Sequence, residues 1–219
     1  MPDGPHLFHW HSHDVRSLLP RSWQENLVRI ANRHAKPRLL APTSVTSRES
    51  KSVNSIRVNT VGGITLTREA PWLNNLYHGP FRELAEQRYA TTVACAEDQR
   101  IGINLNVQVG ADRYEAHVDS NPIEGLLYVT DHPPGTGGEL VVSNRPDARG
   151  TDDIDRNSSI VYPVAGQLLF FDARNNPHYV RPLQGEASIR ITVAMNFYTP
   201  YCKESERPPD LNKHLFGES

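Results

Sequence analysis

Apolar and polar residues alternate one by one in the second half of the chain. Every second position from Ile101 to Val109 is apolar, and the positions between carry glycine and amide side chains. Residues i and i+2 of an extended strand share a face, so this segment is predicted to be a strand with one apolar and one polar face. Further strand patterns occur at 125–130, 139–143, 159–162, 167–171, 179–183 and 188–198. Short strands separated by turn residues, with no helices between them, predict an antiparallel barrel or double-sheet jelly roll.

The first hundred residues have a different pattern. Apolar residues recur at intervals of four and three from Trp23 to Ile30, which predicts a helix after Pro20. Short helices are predicted at 71–77 and 80–88, and a hairpin around Gly62-Gly63. The chain is thus predicted to be one mainly β domain with flanking helices (α+β). Its regions are a helical and hairpin support region at 1–99, a jelly-roll, cupin-like core at 100–200 and a tail at 201–219.

Composition narrows the class of protein without naming its chemistry. The 219 residues are 37% hydrophobic and 22% charged, with a net charge of -2, which is typical of a globular protein and gives no electrostatic footprint for nucleic acid. No apolar run is long enough for a membrane span, and the N-terminus has no secretion signal. We therefore expect a soluble, cytoplasmic protein. The two cysteines are too few for a thiolate cluster, so any metal must be held by imidazole and carboxylate.

The polar face of the first strand has two interpretations. If the strand closes a barrel, Asn104, Asn106 and Gln108 line an interior, where buried amides need partners such as a ligand. If the sheet is open, the same side chains meet solvent. The pattern of this strand alone does not decide between them.

A set of possible metal ligands follows that strand. His117 and Asp119 lie on one side of an extended segment, and His178 could supply a third ligand. Two imidazoles and one carboxylate leave positions open on the metal, as oxygenase iron requires. Zinc hydrolases use a similar set, so the ligands alone do not identify the metal.

The last strand places an arginine and a threonine on one face. From Ser188 to Tyr198 the residues alternate, so Arg190 and Thr192 share the polar face. An arginine inside a barrel needs an anion because it cannot lose its proton. A dicarboxylate co-substrate is one, since the guanidinium fork can bind its far carboxylate. The alternatives are an arginine paired with a structural acid, or one that faces water.

Six segments together resemble the iron/2-oxoglutarate oxygenases of the prolyl-hydroxylase-like group, in order and over roughly residues 100–200. They are His117–Pro122, Leu126–Thr130, Gly137–Leu140, Pro163–Phe171, Asn176–His178 and Arg190–Val193. The resemblance implies a double-stranded β-helix core. It implies iron(II) held by His117, Asp119 and His178, and 2-oxoglutarate and O₂ as co-substrates. It also implies Arg190 on the 2-oxoglutarate tail, with Tyr128 against the same tail.

The chain also resembles small actinobacterial enzymes of natural-product pathways, among them validamycin-type aminocyclitol hydroxylases and amino-acid radical halogenases. In such halogenases a small residue replaces the carboxylate ligand, whereas Asp119 is present here. Hydroxylation of a small molecule is therefore the better expectation. Predicted substrate contacts are polar residues near the ligands or on the inward face: Asn104, Asn106, Tyr114, Ser120 and Asn196.

Two other functions stay open. A peptidyl (prolyl-type) hydroxylase would use the same chemistry but need an open groove for the peptide. A small-molecule enzyme should instead cover the entrance to its active site with residues 41–70. A metal-binding, cupin-like protein without oxygenase activity would need neither Arg190 nor 2-oxoglutarate. The histidines at 6, 9, 11 and 13 are interpreted as a solvated surface tract rather than a metal site.

Overall fold

The computed structural model describes residues 9–40, 56–110, 112, 115–185 and 188–208. Its strands are β1 Trp10–Asp14, β2 Lys36–Leu40, β3 Ile56–Val61, β4 Ala94–Cys95, β5 Ile103–Val109, β6 Ile123–Tyr128, β7 Leu140–Ser143, β8 Ser158–Val161, β9 Gln167–Phe171, β10 His178–Val180 and β11 Ile189–Tyr198. Its helices are α1 Trp23–His34, α2 Gly63–Glu69, α3 Pro71–Leu76, α4 Arg82–Tyr89, α5 Gln99–Gly102 and α6 Gly150–Asp155. None of the helices in these ranges has the length and apolar character needed to cross a membrane.

The described strands form two antiparallel sheets, which is a jelly-roll fold. The large sheet has the order β1-β9-β6-β11-β5-β3-β2, and β4 pairs with the end of β11. The small sheet has the order β10-β7-β8. The prediction of a mainly β jelly roll with flanking helices is confirmed.

The two faces of the large sheet pack against different layers. On the outer face, apolar side chains of β5, β6, β9 and β11 form one core with α1, α2, α3 and α4. On the inner face, the apolar cluster between the sheets takes its members from β6, β9 and β11 on one side and β7, β8 and β10 on the other. β11 contributes side chains to both layers, because successive side chains of a strand point to opposite faces of the sheet.

Local sequence explains the helical layer. In α1, Leu27 and Ile30 are fully buried, as their spacing predicts. Between α3 and α4 the chain bends at Gly79, where φ is -112° and ψ is -108°. The large side chains Tyr77 and Phe81 flank that bend and are buried in the core, as the sequence indicates.

The predicted hairpin around Gly62-Gly63 is wrong in its second half. Its first arm is β3, but the second is the helix α2, and β3 pairs instead with β2 and β5. Gly63 is needed for close packing rather than for a turn, because a Cβ there would lie 1.9 Å from the carbonyl oxygen of Gln99. The polar run at 144–158 contains the short helix α6.

The large sheet also draws on the first third of the chain. The tract that carries the N-terminal histidines is the edge strand β1, which pairs with β9. Nδ1 of His11 accepts a 2.7 Å hydrogen bond from Nη2 of Arg88, and His13 packs edge-on against Phe170. His6 lies outside the described residues. His9, His11 and His13 are half-buried at this sheet edge, so the tract is not fully solvated as predicted.

Candidate metal and co-substrate site

Three side chains from two distant segments meet at the inner edge of the small sheet. The ligand atoms of His117, Asp119 and His178 lie within 4.8 Å of one another, and all three residues are buried. Nε2 of His117 lies 3.6 Å from Oδ1 of Asp119, and Nε2 of His178 lies 3.5 Å from Oδ2. The structure thus brings together the three residues that the sequence singled out.

The backbone fixes the direction of both imidazoles. The two histidines form a β-bridge, with His117 N donating to His178 O at 3.0 Å and His178 N donating to His117 O at 2.9 Å. Nδ1 of His117 lies 2.6 Å from the Glu115 carbonyl, and Nδ1 of His178 lies 3.0 Å from the Asn176 carbonyl. A carbonyl only accepts, so Nδ1 carries a proton in both rings and Nε2 is the atom aimed at Asp119.

The carboxylate is positioned by the loop that follows β9. The Asp119 N–H donates to the Ala173 carbonyl at 2.9 Å. The next carbonyl, that of Ser120, accepts a 2.7 Å hydrogen bond from Nη1 of Arg174 and a weaker contact from the Cys202 thiol. The loop therefore holds the backbone on both sides of the Asp119 side chain.

A second polar group lies on the inner face of the large sheet. Arg190 is 5% exposed, and its Nε and Nη2 have no hydrogen-bond partner among the described residues. The Tyr128 hydroxyl and the Thr192 Oγ1 are likewise buried and unpartnered. Tyr128 and Thr192 are direct cross-strand neighbours in the β6–β11 ladder, and the guanidinium carbon lies 5.6 Å from the centre of the Tyr128 ring.

Burial dominates the electrostatics of this group. It lowers the pKa of Arg190 and raises the pKa of Tyr128 to about 12, although the positive charge of Arg190 opposes the latter shift. Tyr128 is therefore a neutral hydroxyl at physiological pH, able to donate a hydrogen bond. In the described part of the chain, Arg190 neither faces water nor pairs with a structural acid, because its side chain is buried and makes no ion pair there.

Comparisons with known proteins identify the fold. No family model and no curated protein matches the sequence. Solved structures do match: a 2OG-Fe(II) oxygenase family member from Burkholderia pseudomallei has a TM-score of 0.59 at 13% identity, covering 86% of this chain and 84% of that one. The chain has the fold of the 2-oxoglutarate/iron(II) oxygenases.

Two further solved structures have the same fold. The epimerase SnoN from nogalamycin biosynthesis matches with a TM-score of 0.60 at 13% identity, covering 87% of this chain and 77% of that one. HygX from Streptomyces hygroscopicus, solved with nickel and 2-oxoglutarate bound, matches with a TM-score of 0.57 at 13% identity, covering 88% of this chain and 83% of that one. Identities this low show a shared oxygenase fold and leave substrate and reaction to be argued from the site.

Of the predicted substrate contacts, two are engaged in structural hydrogen bonds of the oxygenase fold. The side-chain amides of Asn104 and Asn196 both donate to the Ile101 carbonyl. Asn104 still presents Oδ1, which is buried and unpartnered. Ser120 is buried beside the ligands, and Tyr114 lies outside the described residues. Their contact with substrate stays a prediction.

The polar face of β5 is the inner one. Asn106 lies opposite Thr192, and Gln108 lies opposite Arg190, in the β5–β11 ladder. Gln108 donates to the carbonyls of Asp112 and Arg181 and so ties the end of β5 to the chain that follows β10. Asn104 and Asn106 are half-buried, which is intermediate between the two interpretations of this face.

Sequence reasoning missed three residues that shape the site. His132 is buried with Nε2 3.2 Å from both the Thr130 hydroxyl and the Ile189 carbonyl, and burial together with the charge of Arg190 lowers its pKa. Gly138 has a φ of +81°, and a Cβ there would lie 3.1 Å from Cδ of Arg190. Arg174 is the third. The pair of glycines at 137–138 is visible in the sequence and could have indicated a special backbone conformation. The contacts of His132 and Arg174 join residues from separate segments and could not have been predicted from local sequence.

Proposed function

We propose that this protein is an iron(II)- and 2-oxoglutarate-dependent dioxygenase that hydroxylates an unactivated C–H bond of a small molecule. One observation supports the proposal above the others. Among the described residues, a buried arginine, a tyrosine hydroxyl and a threonine hydroxyl lack partners on the inner face of the large sheet. That face packs against the small sheet, which carries His178 of the two-histidine, one-carboxylate cluster. Unpaired buried donors are costly, and a carboxylate is the ligand that would satisfy them together.

The cluster suits a divalent iron ion. His117 and His178 present Nε2 toward Asp119, and their Nδ1 protons are held by carbonyls, which is the arrangement of metal-bound imidazoles. Two nitrogens and one carboxylate oxygen are the donor set that non-haem iron oxygenases use. When bound, iron(II) would supply, with 2-oxoglutarate and O₂, the oxidising power that no side chain has.

The remaining residues would bind and orient the co-substrate. The guanidinium of Arg190 would take the far carboxylate of 2-oxoglutarate, and the hydroxyls of Tyr128 and Thr192 would donate to it. The apolar cluster between the sheets, which contains Leu126, Val142 and Val180, would keep water from this end of the site. A dry site strengthens each of these charge-assisted hydrogen bonds.

Hydroxylation is proposed over halogenation because Asp119 occupies the third ligand place. A small molecule, such as an amino acid, an aminocyclitol or a related natural-product intermediate, is proposed over a peptide. Of the expected lid at 41–70, residues 41–55 lie outside the described residues, and the remainder contains β3 and α2. Cytoplasmic location stays a prediction.

Succinate formation tests the proposal directly. The protein is incubated with iron(II), ascorbate, O₂ and 2-oxoglutarate, and succinate is measured with and without a panel of amino acids and aminocyclitols. We expect succinate from the wild-type chain and a background level from Asp119→Ala. Asp147→Ala, which alters an exposed carboxylate in the segment between β7 and α6, is the matched control and should behave as wild type.

The result distinguishes the other functions. Succinate formation stimulated only by a prolyl peptide would favour the peptidyl hydroxylase. Metal binding by His117 and His178 without any 2-oxoglutarate turnover, and without an effect of 2-oxoglutarate on thermal stability, would favour a non-oxygenase cupin-like protein.

A further inference from the structure

We infer that the inner face of β5, β3 and β2 is the substrate-binding surface, and that it takes a small polyhydroxylated or amino-substituted molecule with an anionic group at its far end. This inference rests on the proposed function, because it places the substrate beside the proposed iron and 2-oxoglutarate sites. It adds two residues, Thr60 and Lys36, that have no part in holding either.

A single row of polar residues crosses the large sheet. In the strand ladders Tyr128 lies opposite Thr192, Thr192 opposite Asn106, Asn106 opposite Thr60, and Thr60 opposite Lys36. Directly paired residues project from the same face of a sheet. The row therefore starts at the proposed 2-oxoglutarate site and ends at the lysine on β2.

The small sheet leaves the far part of this row open. The apolar cluster between the sheets has members from β6, β9 and β11 of the large sheet, but among its described residues none from β5, β3 or β2. Asn106 and Thr60 are half-buried and Lys36 is exposed. The row thus passes from a closed interior to an accessible surface, which is the course that a substrate needs in order to reach a buried metal.

The side chains of the row determine the kind of molecule. Asn106 offers both a donor and acceptors, and Thr60 offers a hydroxyl. The neighbouring Asn104 presents a buried Oδ1 without a partner, which is an acceptor for a hydroxyl or amino group. An apolar substrate would leave these groups unpaired, so the surface selects against it.

The position of Lys36 at the far end of the row indicates that the substrate carries an anionic group there. Strands in a sheet are about 4.8 Å apart, so Lys36 on β2 lies about 14 Å from Thr192 on β11. A molecule that places a carbon beside the metal cluster and an anion within reach of the Lys36 ammonium must be longer than a free amino acid. A phosphorylated sugar or cyclitol has the required size and chemistry.

The test compares probes of matched size in the succinate assay. The probes are myo-inositol 1-phosphate and glucosamine 6-phosphate, the same two compounds without phosphate, leucine, and a prolyl peptide. We expect the phosphorylated compounds to stimulate succinate formation at the lowest concentrations, the unphosphorylated ones at higher concentrations, and leucine and the peptide not at all.

Substitutions in the row test whether its side chains bind the probes. Thr60→Val and Asn106→Leu are nearly isosteric, and each should raise the half-saturating concentration of the phosphorylated probes by about tenfold. Lys36→Ala should raise it by up to about fivefold, and only for probes that carry phosphate. Asn59→Ala is the control, because Asn59 is next to Thr60 on the opposite face of β3, where its amide donates to the Val107 carbonyl.

Thermal stabilisation by nickel(II) with 2-oxoglutarate is measured in every variant and separates the two proposals. If the wild-type chain shows neither stabilisation nor succinate, the proposed function fails. If stabilisation is present in the wild type and in the variants, but leucine or the peptide is the best stimulant, or no polyhydroxylated probe stimulates, this inference fails alone. Equal responses of Thr60→Val and Asn59→Ala would also overturn it.

Discussion

The two faces of β11 have the same strand geometry and opposite energetics. On the outer face, Ile191, Val193, Met195 and Phe197 pack into the core shared with the helices, and all four are buried. On the inner face, Arg190 and Thr192 are buried just as deeply but leave polar atoms unpartnered. Burying apolar surface stabilises the fold, whereas burying an unpaired polar group destabilises it. One strand therefore both supports the fold and buries polar groups that the described side chains leave unpaired.

The largest effect is expected from the outer face. Phe197 is fully buried and packs against Tyr77 and Phe170. Phe197→Ala should lower the free energy of unfolding by about 3–5 kcal/mol, because it removes buried surface and leaves a cavity. Urea denaturation measures this loss. The folded fraction should still bind 2-oxoglutarate with wild-type affinity; a large loss of affinity in folded protein would show that the two faces are not independent.

A substitution on the inner face should weaken ligand binding without destabilising the fold. Arg190→Met keeps the length of the side chain and removes the charge. We expect the binding free energy of 2-oxoglutarate, measured by calorimetry with nickel(II), to weaken by about 2–5 kcal/mol, because the far carboxylate loses its partner. The free energy of unfolding of the ligand-free protein should stay the same or increase, since an unpaired buried charge has been removed.

Arg145→Met is the matched control for that experiment, because Arg145 is a surface residue paired with Asp147 and Asp153. It should leave 2-oxoglutarate affinity at the wild-type value. Strong destabilisation by Arg190→Met with unchanged 2-oxoglutarate affinity would mean that Arg190 is a structural residue with a partner outside the described part of the chain.

The smallest effect should come from Arg174, a positioning residue that touches the Ser120 carbonyl rather than the metal. Arg174→Gln should weaken nickel(II) binding by about tenfold, through less exact placement of the Asp119 carboxylate. Metal titration of the 2-oxoglutarate-free protein measures this. Arg174→Lys should recover part of the affinity, and the melting temperature of the metal-free protein should change little. A loss of stability with unchanged metal affinity would assign Arg174 a purely structural role.

Several features of the fold could be predicted from local patterns because they depend on local geometry. The period of two in β5 and β11 specifies strands with two unlike faces, and the spacing of Trp23, Leu27 and Ile30 specifies α1. The hairpin prediction failed at Gly62-Gly63, since a glycine pair is equally compatible with a turn and with close packing. Contact with the Gln99 carbonyl, 36 positions along the chain, decides between the two.

By itself, the sequence determined which side chains are candidates for the site: the two histidines and Asp119, and the arginine and threonine sharing one face of the last strand. It could do so because their identity and alternation are local properties. Only the tertiary structure decided that His178 bridges to His117, that Arg190 has no acidic partner among the described residues, and that Arg174 holds the backbone beside Asp119. These contacts join residues far apart in the chain, and the packing of the two sheets, rather than any pattern within a strand, brings them together.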